Sequence, residues 1–346
     1  MRVARLYDFL DLRIEEEAVP EPGPEDALVR VRACGICSGD VVPWYVRKKA
    51  PVVLGHEVSG RIVALGERVS KFRVGQRVFV HHHAPCLECE SCRRGEFVQC
   101  PVWRASRLVP GGLAEFVLVP ARNLEVDTLE LPPHVGFEDG ALVEPVACVV
   151  KSLRRAGSLE GATVLVVGLG VMGLFHVILA RHRGAGRIFG ADFVAARRRK
   201  AEEVGADGTI DASSEDVAEA VRRLTGGRGA DVVVVGPGTL EAWDVGFRSA
   251  ADGGVVVLFM GTEPGRVFPL DAHRFFFREI RLVPSYSCGP YDTREALDLV
   301  ARGVVRAKDV VTHVFPFEKV AEAYRTAAED KSAIKTMVVM DDEGPE

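Results

Sequence analysis

Amide side chains are almost missing from this 346-residue chain: Asn123 is its one asparagine, and Gln76 and Gln99 are its only glutamines. Depletion of thermolabile amides fits a heat-tolerant protein, and an arginine-favouring, GC-rich genome would leave the same mark. A strong charge of one sign is missing too. The formal net charge is −5 and the basic residues are scattered, which excludes the electrostatic footprint of a nucleic-acid binder. The N-terminal MRVARLYDFLDLRIEEE has no apolar core of the kind a secretory signal needs. The longest apolar stretch, TVLVVGLGVMGLFHVILA over 163–180, is interrupted by Gly168, Gly170, Gly173 and His176, so it reads as strand–turn–helix rather than a membrane span. Repeats and low-complexity tracts are absent, and only the tail DDEGPE looks disordered. The expectation is a soluble, cytoplasmic protein, with neither nucleic acid nor membrane as partner and its cysteines reduced. Its length allows two separate cores.

Against that background stand four cysteines in a C-x2-C-x2-C-x7-C run: Cys86, Cys89, Cys92 and Cys100. Four thiolates hold one Zn²⁺ tetrahedrally, and two-residue gaps let consecutive thiolates curl toward one centre. The segment between them, APCLECESCRRGEFVQCP, has too little apolar content for a core of its own, and a bound metal supplies that energy. The spacing therefore predicts a closed structural zinc site, against disulfides or coincidence.

Residues 1–80 show period-2 alternation with Pro/Gly punctuation (LVRVRAC, EVSGRIVALG, QRVFV), the pattern of an antiparallel, barrel-like domain. The texture turns helical around Glu138. From 163 onward strands and helices alternate (TVLVV, a helix from 171, RIFGAD, a helix over 196–204, DVVVV, VVVLF), which predicts a parallel α/β sheet. After about 285 comes a helix near 293–302, strand-like VVTHVFP, a helix over 317–328 and KTMVVM.

Gly168-Leu-Gly170-Val171-Met172-Gly173 is a G-x-G-x-x-G that follows an apolar strand and opens a helix, the context that gives this pattern meaning. Gly168 permits the tight turn, Gly170 lets backbone approach a pyrophosphate, and Gly173 lets the helix sit close to the sheet with its N-terminal dipole toward the phosphates. Asp192, nineteen residues past Gly173, closes the next strand. A carboxylate there accepts from ribose hydroxyls and repels a 2′-phosphate, which favours NAD(H) over NADP(H). Arg197, Arg198 and Arg199 would hold a 2′-phosphate if Asp192 turned away; otherwise they are the solvated face of the next helix.

A second set of metal-capable residues lies outside the cysteine lobe: Cys37 in GICSGD, His56-Glu57 in LGHEVSG and Glu144 in LVEPVAC. A catalytic zinc needs three protein ligands and one open position, and these residue types suit it. In order and spacing, GIC..D, GHE, the four-cysteine lobe, EP, GLGVMG and VTHVFPFEKVAEAY resemble the zinc-containing medium-chain dehydrogenase/reductase superfamily, the alcohol, sorbitol and threonine dehydrogenase group, nearly end to end. The resemblance implies an α/β protein: a GroES-like β-barrel catalytic domain (1–144 and 286–346, with the zinc lobe at 84–101) and an inserted Rossmann doubly wound parallel sheet (145–285). It implies Cys37, His56 and Glu144 as catalytic-zinc ligands, Glu57 as a mobile carboxylate that binds zinc directly or exchanges with water, and Cys148 as a rival ligand. It also places Arg197, Gly261, Ser285 and Tyr286 along the NAD(H) site. Zinc would act as Lewis acid on the alcohol oxygen so that its proton leaves near neutral pH and hydride passes to the nicotinamide.

The match has gaps. The family carries a proton-relaying Ser or Thr two residues after the zinc cysteine; here that position is Gly39, with Ser38 one place early. Pro43 stands where sorbitol dehydrogenases place a substrate-contacting tyrosine, and Ser287 aligns with their arginine near the nicotinamide. Trp44, Tyr45, Trp103 and Tyr286 are candidates to wall a more apolar pocket. In a strand, alternation would send His82 opposite to His81 and His83, so all three cannot face one ion, and at best one of them lines the cleft. The expected function is oxidation of a secondary alcohol or polyol by NAD⁺ in a homodimer or homotetramer. An L-threonine-type amino-alcohol dehydrogenase and an NAD(H)-binding sensor or structural protein without turnover are the alternatives.

Overall fold

The computed structural model describes residues 1–340, so the DDEGPE tail lies outside the described residues. The alternating N-terminal segments form β1 (Arg2–Asp8), β2 (Asp11–Glu16), β3 (Ala27–Gly35), β4 (Val52–Val53), β5 (Glu57–Leu65), β6 (Arg77–His81), β7 (Phe116–Val119) and β8 (Thr128–Glu130). In β3 and β5 one face is Val29, Val31, Val58 and Ile62, all inaccessible to solvent, so a one-residue slip would expose the core and the register is fixed.

The apolar strands after residue 160 pair in parallel. They are β9 (Thr163–Val167), β10 (Arg187–Asp192), β11 (Gly208–Asp211), β12 (Ala230–Val235), β13 (Ala250–Leu258) and β14 (Arg281–Pro284). Their spatial order is β11–β10–β9–β12–β13–β14, with every neighbouring pair parallel. This is a doubly wound sheet whose strand order reverses between β9 and β12, where such sheets open a crevice for ligands. β9 is buried at every position, as a strand covered by helices on both faces must be.

The chain returns through β15 (Val311–Pro316) and β16 (Lys335–Val339) to the first sheet, whose order is β15–β16–β3–β5–β6–β8, with β7 also on β3; β2–β1–β4 form a separate sheet. Phe317 and Tyr324, from the C-terminal segment, pack into the core with Val29, Val31 and Ile62. The chain divides into two compact units: Met1–Ala147 with the segment from Cys288 onward, and Cys148–Ser287. Among the described residues no helix is long and apolar enough to cross a membrane.

Candidate metal centres and dinucleotide site

The four lobe cysteines converge. Sγ–Sγ separations are 3.9 Å for Cys86–Cys92, 3.5 Å for Cys89–Cys92 and 3.6 Å for Cys100–Cys86. A tetrahedron with bonds of about 2.3 Å has edges of about 3.8 Å, whereas a disulfide would bring sulfurs to about 2.05 Å. The spacing is thus that of a four-thiolate zinc site. Backbone N–H groups of Glu88 and Cys89 draw the Cys86 thiol down to about 6, while burial pushes Cys92 up to about 12. Four thiolates this close need a cation to coexist. The lobe's own core is only Phe97, Val98, Trp103 and the cysteines, too small to order the loop without metal.

In the first unit, Cys37, His56 and Glu57 bring one donor atom each within 4.8 Å of one another. Cys37 caps a short 3-10 helix (Ser38–Val41), where its sulfur accepts from Gly39 N at 3.3 Å. Asp40, 3% exposed, sits 3.3 Å from His56 Nδ1. That contact directs the other ring nitrogen to a metal, as carboxylates do behind ligating histidines. Burial opposes charge on His56, but Asp40 and Cys37 outweigh it and hold the imidazole well above its usual value. Glu57 opens β5 and forms a buried ion pair with Lys335, whose Nζ also donates to Ile36 O at 2.9 Å. A soft thiolate, an imidazole and a carboxylate, each positioned from behind, fit a zinc ion with an open coordination position.

Glu144 is buried near the start of helix Val143–Ala156 and groups with His81 and His82 rather than with that trio. The histidine run does not divide as alternation predicts, because β6 ends at His81: the His81 and His82 rings lie 5.0 Å apart and those of His82 and His83 4.1 Å. His81, the last residue of β6, turns into the core, where Nδ1 meets Asp127 Oδ2 at 2.6 Å and Asn123 donates to its carbonyl. The His82 ring also lies 4.7 Å from that of His56. His83 stacks at 4.0 Å on Trp103, which lies in the lobe core.

In the second unit, Gly168 adopts φ +88°, and a Cβ there would stand 2.8 Å from Pro237 Cδ. A Cβ on Gly173 would meet Gly168 O at 2.0 Å, so the helix can approach the turn only with glycine. Gly170, the N-cap of helix Val171–His182, faces open space, the cradle a pyrophosphate needs. Val171 and Met172 form the first turn of that helix. Asp192 closes β10; Leu169 N donates to its Oδ2 at 2.7 Å and Val194 N to its Oδ1 at 2.8 Å. Each oxygen keeps a lone pair for a ribose hydroxyl. Arg198 is occupied by Asp211 and by the carbonyls of Asp192 and Phe193, whereas Arg197 is half-buried and Arg199 is exposed. The buried Ser285 Oγ, just past β14, has no hydrogen-bond partner among the described residues. Tyr286 is 58% exposed and Gly261 follows β13.

Residues 23–130 match the family described as alcohol dehydrogenase GroES-like domain, and residues 171–302 match zinc-binding dehydrogenase. Sorbitol dehydrogenase of Ovis aries is 34% identical over 341 residues, covering 96% of this chain and 94% of its own. The chain belongs to the zinc-containing medium-chain dehydrogenases. Sorbitol dehydrogenase 1 of Saccharomyces cerevisiae is 31% identical over 354 residues, with 97% and 96% covered. Among solved structures, a zinc-binding dehydrogenase from Sinorhizobium meliloti 1021 bound to NADP superposes with TM-score 0.88 at 32% identity, covering 98% of both chains. The 2R,3R-butanediol dehydrogenase of Bacillus subtilis does so at 0.86 and 25%, covering 98% of this chain and 99% of its own. This medium-chain dehydrogenase is a zinc-dependent oxidoreductase acting on CH–OH donors, with zinc and NAD(H) as cofactors.

Two positioning residues of this dehydrogenase escaped the sequence reading. In the sequence Asp40 is only the D of GIC..D, and Lys335 is one lysine in the apolar run KTMVVM, although a charge in a buried strand is itself a flag. Ser38 is exposed and joins none of the donor groups. Among the wall candidates, Trp103 belongs to the lobe core, while Trp44 and Tyr45 pack edge-to-face at 5.6 Å.

Proposed function

We propose that this chain oxidises a secondary alcohol or polyol with NAD⁺, using Cys37, His56 and Glu57 as the resident catalytic-zinc ligands and Glu144 as a nearby carboxylate. The observation that carries this is the convergence of those three donors with Asp40 and Lys335 held behind them. Zinc bound there supplies Lewis acidity that lets an alcohol lose its proton near neutral pH. Asp40 orients His56, Lys335 offsets the charge of Glu57, and Gly39 N steadies Cys37 by a hydrogen bond. Asp192 favours NAD⁺, because its fixed carboxylate meets ribose hydroxyls well and a 2′-phosphate badly.

Several relatives carry the name sorbitol dehydrogenase, and a structural neighbour acts on 2R,3R-butanediol; both support a diol or polyol pocket. Pro43 and Ser287 weigh against sorbitol itself. An L-threonine-type activity lacks its relay residue at Gly39, and a silent NAD(H) sensor has no use for three convergent metal donors. The chain works as a cytoplasmic homo-oligomer, and a second copy alongside β14 suits the sheet edge: Phe276 and Phe277, two residues of a short helix before it, are 72% and 70% exposed. The test is NADH formation with zinc-replete protein over secondary alcohols, polyols and L-threonine. Turnover of alcohols or polyols supports the reading; turnover of threonine alone, or none with NAD⁺ bound, contradicts it.

A further inference from the structure

We infer that Tyr45, assisted by Lys49, carries the substrate proton in place of the absent relay hydroxyl at position 39. The inference rests on the alcohol-oxidising role of the Cys37–His56–Glu57 centre. A Cβ on Gly39 would stand 3.6 Å from Cys37 Sγ and 3.8 Å from Tyr45 Cε1, so the edge of this phenol ring borders the space a relay side chain would use. Tyr45 lies on helix Pro43–Arg47, with Pro43 at its first position, and Trp44 packs edge-on against its ring. Lys49 Nζ stands 3.9 Å from the ring centroid and Lys48 Nζ 4.8 Å. Lys49 also reaches Asp40 Oδ1 at 3.6 Å, and Asp40 holds His56 through its other oxygen. A continuous polar path therefore links the metal ligands to Lys49, whose side chain is 33% exposed. Two cations over the ring favour negative charge on Oη as a proton passes through it.

In the oxidation, the substrate O–H bond breaks and its proton goes to Tyr45 Oη, while Oη releases its own proton to solvent on the Lys49 side. The electron pair of the carbinol C–H bond leaves as hydride to the nicotinamide. Carbonyl product, NADH and one solvent proton result. Reduction runs the same path inward.

The experiment is Tyr45→Phe, alone and combined with Gly39→Ser. Phenylalanine keeps the ring over Lys49 and removes only the hydroxyl. A serine at 39 fits, because both contacts its Cβ would make are ordinary van der Waals distances. The single variant is expected to lose about 10- to 100-fold in kcat with KM for the alcohol and NADH binding unchanged, and the double variant to regain about tenfold. A kcat for Tyr45→Phe within about twofold of the native chain overturns the inference, as does a loss that falls wholly on KM. No turnover by the native chain itself would overturn the alcohol-oxidising reading first, and this inference with it.

Discussion

His56 Nδ1 lies 3.3 Å from Asp40 Oδ2, and that carboxylate is almost wholly buried. The imidazole is thereby fixed in one orientation before any metal arrives. Asp40→Asn keeps the shape and removes the charge. Zinc affinity at this centre is expected to fall about 10- to 100-fold, read by chelator competition, with the lobe zinc retained.

The cysteine lobe should respond differently. Cys92→Ser removes one of four thiolates, and its sulfur stands 3.9 Å from that of Cys86 and 3.5 Å from that of Cys89. Metal analysis should fall from two zinc ions per chain to one, and the melting temperature should drop by on the order of 10 °C. A fully stable variant depleted of that zinc would refute the structural role.

Much of this was legible in the residues because it depends on local spacing. The four cysteines, the glycine turn and the apolar strand before it are each contiguous, and β9, the turn and helix Val171–His182 form as their pattern requires. The antiparallel sheet followed from alternation. What stayed hidden is non-local: Lys335 reaches Glu57 only because β16 pairs with β3 next to β5, and no spacing rule links residues so far apart. For the same reason the placement of Glu144 beside His81 and His82, rather than with Cys37, could not be read from LVEPVAC. Tyr45 is a third case, since its nearness to Gly39 depends on the turn between them.

On the proposed reading, cofactor choice depends on Asp192. Asp192→Gly removes a carboxylate that both Leu169 N and Val194 N hold in place. The ratio of kcat/KM for NAD⁺ over NADP⁺ should shift toward NADP⁺ by about tenfold or more. An unchanged ratio would assign the choice to Arg197 and Arg199.

His176 gives an acid-stability prediction. It is fully buried between Ser152 Oγ, 2.6 Å from Nε2, and Met172 O, 2.7 Å from Nδ1, and burial pushes it down from 6.5 to about 4. The unfolded chain binds a proton on this group below its ordinary value, and the folded chain does not until about pH 4. Stability from this group is therefore complete above pH 6.5 and is lost as pH falls toward 4, by about 3 kcal/mol. Thermal melting of the native chain and of His176→Gln across that window checks this. The native curve should fall more steeply with acid, although the variant starts lower.

The most direct measurement pairs metal content with NADH formation, for the native chain and Cys37→Ser, over secondary alcohols and polyols. The native chain is predicted to carry two zinc ions and to turn over a substrate of that class. Cys37→Ser should keep the lobe zinc and bind NADH but form none. Undiminished turnover by Cys37→Ser would contradict the assignment of Cys37, His56 and Glu57 as the catalytic centre.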